Sequence, residues 1–223
     1  MGELLRVDRP SDGVALLTLD RADKRNALST QLRDEISDAL DALGTDPSVR
    51  CVVITGAGEV FSAGFDLAEF QEPDPEFQRR LWASSDRYHR TVLELPIPSV
   101  AAVNGPAIAG GFDLAVMCDL RISSTTATFH HPEISFGDVV YGPLHDLVGG
   151  AVARDLCLTG RKIDSDEALR VGLVSAVVSP GRTLELALER ATAIASAPRD
   201  VLVRMKAKIA RRAGIEPGAT LDL

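Results

Sequence analysis

Two short apolar runs, each followed by a glycine-containing bend and then a helical pattern, constrain the fold of this 223-residue chain more than any other feature. The runs are Cys51–Thr55 and Ser99–Val103, whose length and β-branched content favour buried strands. The spacing of the apolar residues that follow favours helices. Strands that alternate with helices in this way predict an α/β architecture with parallel strand pairing.

The rest of the chain continues this alternation. Two strands near the start, Leu4–Val7 and Val14–Leu19, are predicted to join through a turn at Pro10–Gly13. Ser29 is a predicted helix N-cap. The predicted helices lie within Arg21–Asp46, around Phe77–Val92, over Ala109–Met117 and over Val201–Arg212.

Charge and composition exclude several classes of function. A formal net charge of −8 disfavours nucleic-acid binding, because an acidic surface repels the phosphate backbone. The cysteines, Cys51, Cys118 and Cys157, have no metal-ligand spacing, and so sparse a set is typical of a reducing compartment. No apolar run reaches the ~18 residues of a membrane span, and the start has no apolar signal core. We therefore expect a cytoplasmic protein with no membrane segment and no nucleic-acid partner.

The two bends are the places where chemistry is expected. Phe61–Leu67 follows the first run and Asn104–Asp113 follows the second, and both place small residues where a strand gives way to a helix. Small residues let a ligand approach the backbone, and the first amides of a helix lack partners and carry a positive partial charge. Two such bends that converge would form an oxyanion hole. Taken alone, each bend is also compatible with an ordinary turn.

Several segments together carry a resemblance to a known family: DKRNAL at 23–28, FSAGFDL at 61–67, AAVNGPAIAGGFDLAVMCDLRI at 101–122 and HPEISFG at 131–137. With the segments at 158–160 and 168–174, they run in the order found in the crotonase superfamily. The chain resembles this superfamily, also called the enoyl-CoA hydratase/isomerase family, over nearly its whole length.

The resemblance implies a fold, a ligand and an assembly. The fold is an α/β crotonase-like superhelix of ββα units in a core domain of residues 1–180, followed by a shortened helical C-terminal region of residues 181–223. The ligand is an acyl-CoA thioester of fatty acid metabolism, and no cofactor is expected because coenzyme A is part of the substrate. The assembly is a homotrimer or a dimer of trimers.

The resemblance also assigns roles to residues. The backbone N–H groups of Phe65 and Gly110 form the oxyanion hole that meets the charge of a thioester enolate. Asp113 and Glu133 are the catalytic carboxylates that transfer protons. The residues that bind the substrate and its coenzyme A are Lys24, Arg25, Ala27, Ala63, Asp66, Leu67 and Ala68. No metal ligand is expected.

Simpler interpretations of the same residues stay open. Asp113 also suits the first turn of a helix, where it interacts favourably with the helix dipole. Glu133 also suits an exposed position after a proline. Lys24 and Arg25 also suit a charged surface loop.

Some residues depart from the family pattern. Phe65 stands where the family usually has alanine, which changes the shape of the pocket but keeps the N–H. Asp113 stands where hydratases have glutamate, and its carboxylate is set back by roughly 1 Å, a distance to which catalysis is sensitive. The stretch Gly137–His145 is shorter than in the hydratases. Histidines near this stretch are either additional bases or structural residues; they are His130, His131 and His145.

The leading prediction is an enoyl-CoA hydratase-type lyase that adds water to 2-enoyl-CoA thioesters through an enolate held in the oxyanion hole. The alternative is an enoyl-CoA double-bond isomerase that uses mainly Glu133. A diketone hydrolase and a non-catalytic acyl-CoA binder also stay open. The histidines near residue 145 motivate the hydrolase, and Asp113 with the altered stretch motivates the binder.

Overall fold

We describe the chain from a computed structural model, which covers residues 3–215 together with Gly218, Thr220 and Leu223. Residues 1 and 2 of the predicted core domain lie outside the described residues, as do residues 216, 217, 219, 221 and 222 of the predicted C-terminal region. The domain boundary at residue 180 stays a prediction.

Two sheets contain the strands of the described residues. The strands are β1 (Leu5–Ser11), β2 (Val14–Leu19), β3 (Cys51–Gly56), β4 (Ser99–Val103), β5 (Ala107–Ile108), β6 (Leu120–Ser124), β7 (Thr128–His130), β8 (Ile163–Asp164) and β9 (Ala176–Val178). The larger sheet has the order β1-β2-β3-β4-β6-β9, and only its β1–β2 pair is antiparallel. The smaller sheet has the order β5-β7-β8. The predicted α/β architecture with parallel pairing is thereby confirmed.

Helices connect the strands and form the end of the chain. They are α1 (Thr30–Thr45), α2 (Pro75–Glu94), α3 (Gly110–Met117), α4 (Gly142–Thr159), α5 (Ser165–Arg170), α6 (Thr183–Ala195) and α7 (Arg199–Ala213). Within the part of the chain that the structure describes, no helix is both long and apolar enough to cross a bilayer.

Local sequence signals account for most of the element boundaries. The Ser29 Oγ accepts a hydrogen bond from the Leu32 amide at 3.3 Å, as expected of an N-cap. The predicted turn at Pro10–Gly13 is wrong in its first half, because β1 continues through Pro10 to Ser11. A proline is tolerated there because β1 is an edge strand of its sheet.

Apolar side chains cover both faces of the larger sheet. On one face the strands pack against α1, α2, α3 and α4. On the other face they pack mainly against α6, through Val14, Leu16, Cys51, Val53, Val100, Ala102, Ile122, Ala187, Ala191 and Ala195. This burial on both sides explains why β3 and β4 are continuous apolar runs without polar alternation.

The smaller sheet brings distant segments to the start of α3. β5 pairs with β7 in parallel, so Ile108 lies opposite His130 where both strands end. On its other side β5 is bridged by Ser62, and the loop beyond Ser62 is bridged to Leu28 at Phe65. The segments FSAGFDL, HPEISFG and DKRNAL therefore meet where α3 begins.

A buried ion pair joins α7 to the larger sheet. The Lys206 Nζ lies 2.6 Å from Oδ2 of Asp119, and the two side chains are 8% and 12% exposed. The same oxygen accepts hydrogen bonds from the amide and the hydroxyl of Ser99, at the start of β4. A run of lysines and arginines in one helix is typical of a solvent-facing surface, but Lys206 is buried. Four other basic residues of this helix are exposed: Arg204, Lys208, Arg211 and Arg212.

We predict that Lys206→Ala lowers the free energy of unfolding by about 3 kcal/mol, because it leaves the Asp119 carboxylate buried without its counter-ion. Urea denaturation followed by circular dichroism measures this loss. Lys208→Ala removes an exposed lysine from the same helix and should change the stability by less than about 0.5 kcal/mol. Equal stabilities of the two variants would contradict the prediction.

Candidate active site

The start of α3 has an unusual backbone that leaves an amide free. Ala109 has φ 51° and ψ −130°, a conformation that non-glycine residues rarely adopt. Its own amide donates to the His130 carbonyl at 3.0 Å, and its carbonyl accepts from the amides of Phe112 and Asp113. The Gly110 amide, which follows, donates to no other described residue. The strained residue therefore ends β5 and turns the chain so that α3 begins with an unpaired N–H.

The Phe65 amide is left free by the neighbouring hydrogen bonds. The Leu28 amide donates to the Gly64 carbonyl at 2.8 Å, and the Asp66 amide donates to the Leu28 carbonyl at 3.4 Å. These bonds use the peptide groups on either side of Phe65 and direct its own N–H to the opposite side. Within the described residues, this amide has no acceptor.

The two free amides lie close together. A Cβ on Gly110 would lie 3.6 Å from the Phe65 nitrogen, and a Cβ on Gly64 would lie 3.0 Å from the Gly110 nitrogen. Because a Cβ is about 2.5 Å from the nitrogen of its own residue, the Phe65 and Gly110 nitrogens are separated by about 6 Å at most. The structure thus brings together the two residues that the resemblance named as oxyanion donors.

The Phe65 side chain packs against α1 and α2. The guanidinium carbon of Arg33 lies 4.4 Å from the centre of the Phe65 ring, and the His89 and Phe70 rings lie 5.9 and 6.2 Å away. A Cβ on Gly110 would lie 2.8 Å from Cδ1 of Phe65, so the ring also covers the start of α3. The ring occupies space that the alanine usual in the family would leave open.

Arg33 is a supporting residue that sequence reasoning missed. It is fully buried, and its guanidinium donates to the carbonyls of Leu28 and Leu81 and to the hydroxyl of Thr30. Burial lowers its pKa, against the opposing attraction of Glu69. An arginine in an amphipathic helix gives no sign in the sequence that it will point into the core.

The two predicted carboxylates meet at a histidine. Asp113 lies in the first turn of α3 and is 5% exposed, and Glu133 lies in the short 3₁₀ turn that follows β7. The Nδ1 atom of His131 is 3.0 Å from Oε1 of Glu133 and 3.7 Å from Oδ1 of Asp113. Glu133 is not the exposed residue that its simpler interpretation allowed, since its side chain is 12% exposed. Asp113 does lie in the first turn of its helix, where the helix dipole acts on it as well.

Burial shifts the protonation equilibria of this group. It raises the pKa of Asp113 to about 7, with His131 opposing the rise and the charge of Glu133 adding to it. Burial also acts to lower the pKa of His131, but the hydrogen bond to Glu133 and the charge of Asp113 outweigh it and leave that pKa above its ordinary value. The site therefore holds protons that can be exchanged near neutral pH.

Several buried polar atoms at the site have no hydrogen-bond partner among the described residues. They are Oδ1 of Asp113, Oε2 of Glu133, Nε2 of His131 and the hydroxyl of Tyr88, whose pKa is raised by burial and by the charge of Asp113. Buried polar groups are almost always satisfied, so unpaired ones indicate that a further molecule belongs there. The arrangement suits a water molecule or a polar substrate group between the carboxylates.

The same three side chains also have the composition of a metal site. Within the described ranges, Asp113, His131 and Glu133 are the one group of His, Cys, Asp or Glu whose ligand atoms all lie within 4.8 Å of each other. A cation would have to displace the proton of the His131–Glu133 hydrogen bond. The expectation that no metal is used stays a prediction.

The predicted substrate-binding residues lie along two neighbouring segments. The Ala63 amide donates to the Arg25 carbonyl at 3.0 Å, and Asp66 forms an ion pair of 2.7 Å with Arg21. Arg21 also donates to the Ala27 carbonyl. The side chains of Lys24, Arg25, Leu67 and Ala68 are exposed along this strip, and Ala27, Ala63 and Asp66 are partly buried.

Asn26 is a second supporting residue that the sequence analysis missed. It is fully buried with φ 53°, a conformation that asparagine tolerates better than most residues. Its Nδ2 donates to the carbonyls of Ala57 and Val60, and its Oδ1 accepts from the Arg21 amide. These bonds hold the Lys24–Arg25 turn against the loop after β3. The position of this asparagine next to a turn was the feature of the sequence that could have indicated its supporting role.

Two of the other three histidines, His130 and His145, were candidates from the sequence, and neither pairs with the carboxylates. His145 is exposed on α4, with its ring 5.4 Å from that of Tyr141. His130 is half-buried, and burial lowers its pKa. Neither donates a hydrogen bond to Asp113 or Glu133 within the described residues.

The fold, the two free amides and the two carboxylates at His131 are features of an acyl-CoA enzyme family. The chain belongs to the enoyl-CoA hydratase/isomerase family, whose model matches residues 9–220. The resemblance stated from the sequence is thereby confirmed.

Relatives and solved structures agree with this assignment. The short-chain-enoyl-CoA hydratase of Clostridium acetobutylicum is 37% identical over 188 residues, which are 82% of this chain and 72% of that protein. The crystal structure of an enoyl-CoA hydratase from Bacillus anthracis has a TM-score of 0.89 at 32% identity and covers 96% of this chain and 85% of that one. A monofunctional enoyl-CoA isomerase from M. smegmatis has a TM-score of 0.80 at 30% identity, with 96% and 95% coverage. The family therefore includes both chemistries among the relatives of this chain.

We predict that Asp113→Asn stabilises the protein by about 2–4 kcal/mol near pH 8, and that the gain disappears near pH 4. The pKa of Asp113 rises from 3.8 to about 7 on folding. Between these values the folded chain keeps a proton that the unfolded chain has lost, so the stability of the wild type falls as the pH rises through this window. Asparagine cannot ionise and escapes this loss.

Denaturation at several pH values measures this effect. Asp138→Asn changes an exposed aspartate and should give no pH-dependent gain. An Asp113→Asn variant that is less stable than the wild type near pH 8 would show that ionised Asp113 does not destabilise the folded protein.

Proposed function

We propose that this protein is an enoyl-CoA hydratase, which adds water to the double bond of a 2-enoyl-CoA thioester. One observation carries the proposal: Asp113 and Glu133 each have a buried oxygen without a partner, and both carboxylates lie within 3.7 Å of the same His131 nitrogen, with Asp113 on the helix that the free Gly110 amide begins. Water addition requires one group that accepts a proton and one that donates it. Relatives that bear the name enoyl-CoA hydratase support the same reaction.

The amides of Phe65 and Gly110 are the proposed oxyanion hole. The thioester carbonyl oxygen would accept hydrogen bonds from both and would become negatively charged as the enolate forms. One such donor is worth about 3–4 kcal/mol in the transition state. These amides have no other acceptor within residues 3–215 or among the three described residues after them, which supports this role.

The carboxylates complete the reaction. Glu133 takes a proton from water while the water oxygen bonds to the β-carbon, and the electrons of the double bond move onto the thioester oxygen. Asp113, whose pKa of about 7 leaves much of it protonated near neutral pH, then gives its proton to the α-carbon. The enolate returns to a thioester, and the product is a 3-hydroxyacyl-CoA.

The strip beside the oxyanion hole is the proposed site for coenzyme A. Lys24 and Arg25 are exposed cations on a turn, and such cations suit the phosphates of coenzyme A. The small side chains of Ala27, Ala63 and Ala68 let the nucleotide approach the backbone. Asp66 is neutralised by Arg21 and so does not repel the phosphates. The resemblance supports the further proposal of a homotrimer or a dimer of trimers.

An isomerase is the second candidate. Asp113 is one methylene shorter than the glutamate of the hydratases and lies deeper, and in the isomerases the second carboxylate alone moves the proton. Glu133 has both a fixed oxygen, held by His131, and an unpaired one. It therefore suits transfer of a proton between two carbons of the substrate.

Two substrates separate the candidates. We expect the protein to convert crotonyl-CoA to a product heavier by one water molecule, with loss of the absorbance of the conjugated double bond. Conversion of a 3-enoyl-CoA without a change in mass would favour the isomerase. Binding of both thioesters without turnover would favour the acyl-CoA binder, and cleavage of a diketone would favour the hydrolase.

We predict that Glu133→Gln lowers kcat for hydration by about 1,000-fold, because the amide cannot accept the proton of water. Steady-state rates with crotonyl-CoA measure the loss, in a buffer with a chelator that removes adventitious metal ions. Glu189→Gln alters an exposed glutamate on α6 and should leave the rate unchanged. An active Glu133→Gln variant would remove this residue from the mechanism.

We also predict that Gly110→Ala lowers kcat by at least about 100-fold. The added methyl group would lie 2.8 Å from the Phe65 ring and next to the Phe65 amide, so the two donors must move apart. Gly181→Ala places a methyl group where no atom lies within 4 Å and serves as the matched control. If both variants keep full activity, these two amides do not hold the enolate.

A further inference from the structure

The core fixes the position of the His131 ring, so the property of this residue that can change is its protonation. Its ring is fully buried and stacks on Phe112, with centroids 4.6 Å apart and an interplanar angle of 29°. Phe112 in turn packs on Phe129 at 5.4 Å. Gly160 closes the backbone side, because a Cβ there would lie 2.8 Å from the His131 carbonyl oxygen. The ring position is therefore set by the core.

One nitrogen of this ring serves two carboxylates. Its Nδ1 lies 3.0 Å from Glu133 and 3.7 Å from Asp113, so a single proton on Nδ1 bonds Glu133 and still faces Asp113. Within the described residues, no lysine or arginine pairs with either carboxylate. His131 is thus the available source of positive charge at the site.

The remaining titratable groups around the site add no positive charge to it. The charge of Asp113 adds to the burial that raises the pKa of Tyr88 on α2. Burial and the charges of both carboxylates raise the pKa of Cys157 on α4 to about 11. On the chain before β8, Lys162 acts on His130, the neighbour of His131. Tyr88 and Cys157 are neutral at physiological pH.

Charge balance then favours one protonation pattern. Two ionised carboxylates and a neutral imidazole would leave two negative charges in a buried pocket, which is strongly unfavourable. An imidazolium, one ionised carboxylate and one protonated carboxylate leave no net charge. Of the two carboxylates, Glu133 is the one in direct contact with His131, at 3.0 Å. The negative charge is therefore best placed on Glu133, opposite the imidazolium, and the proton on Asp113. The raised pKa values of Asp113 and His131 agree with it.

We propose that His131 is a positively charged positioning residue, which orients Glu133 through Nδ1–H and keeps it ionised as the base while Asp113 carries the proton of the acid. The proposal rests on the proposed function and assigns the roles of acid and base to different carboxylates. Glu133 Oε1 is fixed by His131, so its unpaired Oε2 is the oxygen that receives the proton of water. The unpaired Oδ1 of Asp113 lies 3.7 Å from the same His131 nitrogen.

The charge on His131 can be measured without any turnover. In protein with isotope-labelled histidine, the ring nitrogen signals of His131 are assigned by their absence in His131→Gln. We expect the imidazolium to persist above the ordinary histidine pKa of 6.5 in the wild type, and to be lost at lower pH in Glu133→Gln. His145→Gln removes an exposed histidine and should leave the His131 titration unchanged. A His131 ring that is neutral below that ordinary value overturns the proposal.

The pH profile of hydration tests the same charge through its effect on Asp113. Glutamine can keep the hydrogen bond to Glu133 but carries no charge, so His131→Gln should lower kcat by about 100-fold. It should also move the basic limb of kcat/KM, set by Asp113, to higher pH by about one unit, because the attraction that opposed protonation is gone. A residue that only supports the fold would not move this limb, and an unmoved limb overturns the proposal.

The two measurements separate this proposal from the proposed function. A charged His131 in a protein that does not hydrate crotonyl-CoA contradicts the hydratase, and with it the acid and base roles assigned here. Active hydration with a neutral His131 overturns the positioning role and leaves the hydratase intact.

Discussion

The close approach of two backbone segments at Gly64 and Gly110 is the constraint on which the rest of the site depends. A methyl group on either glycine would lie within 3.0 Å of atoms of the other segment. A backbone hydrogen bond to a third segment fixes each of them: the Leu28 amide donates to the Gly64 carbonyl, and the Ala109 amide donates to the His130 carbonyl. The bridge between Ser62 and Ala107 joins them directly. The free amides of the site are therefore fixed by sheet-like pairing, and their position does not depend on flexible side chains.

This design has a cost in stability that is concentrated at the site. Ala109 adopts a strained backbone, and one oxygen each of Asp113 and Glu133 and the Tyr88 hydroxyl lack partners among the described residues. Strain and unpaired polar groups each cost of order 1–3 kcal/mol, and they persist only where the surrounding core is well packed. Here α3 is buried along its whole length. The core thus supplies the rigidity that holds unfavourable groups in place, as is common at functional sites.

The sequence predicts the parts of the fold and site that lie close together along the chain. The strand, the bend and the start of the next helix are consecutive, so the sequence places Gly110 and Asp113 on one helix. It also places the amides of Phe65 and Gly110 just after the ends of strands. The contacts that were missed join distant residues. Lys206 meets Asp119 across 87 positions, and the Arg33 guanidinium reaches Leu81 and the Phe65 ring from another helix. No periodicity reveals such pairs, because each is set by how the helices pack.

The histidines illustrate the same limit at the site. His130 and His131 are adjacent and identical in type, and the strand before them does not say which one turns inward. His130 ends β7 and His131 follows it, and His131 shares one side of the chain with Phe129, where both pack on Phe112. His130 is left on the other side and half-buried.

A phenylalanine is tolerated at position 65 because only the backbone of this residue takes part in the oxyanion hole. Its amide is positioned by the hydrogen bonds of Gly64, Leu28 and Asp66, and none of these involves its side chain. A large ring is therefore compatible with the oxyanion geometry, provided that the core accepts it. Arg33 meets that condition, since its buried guanidinium stacks on the ring. The backbone thus fixes the chemistry of the site, while the side chain at position 65 is free to set the shape of the space beside it.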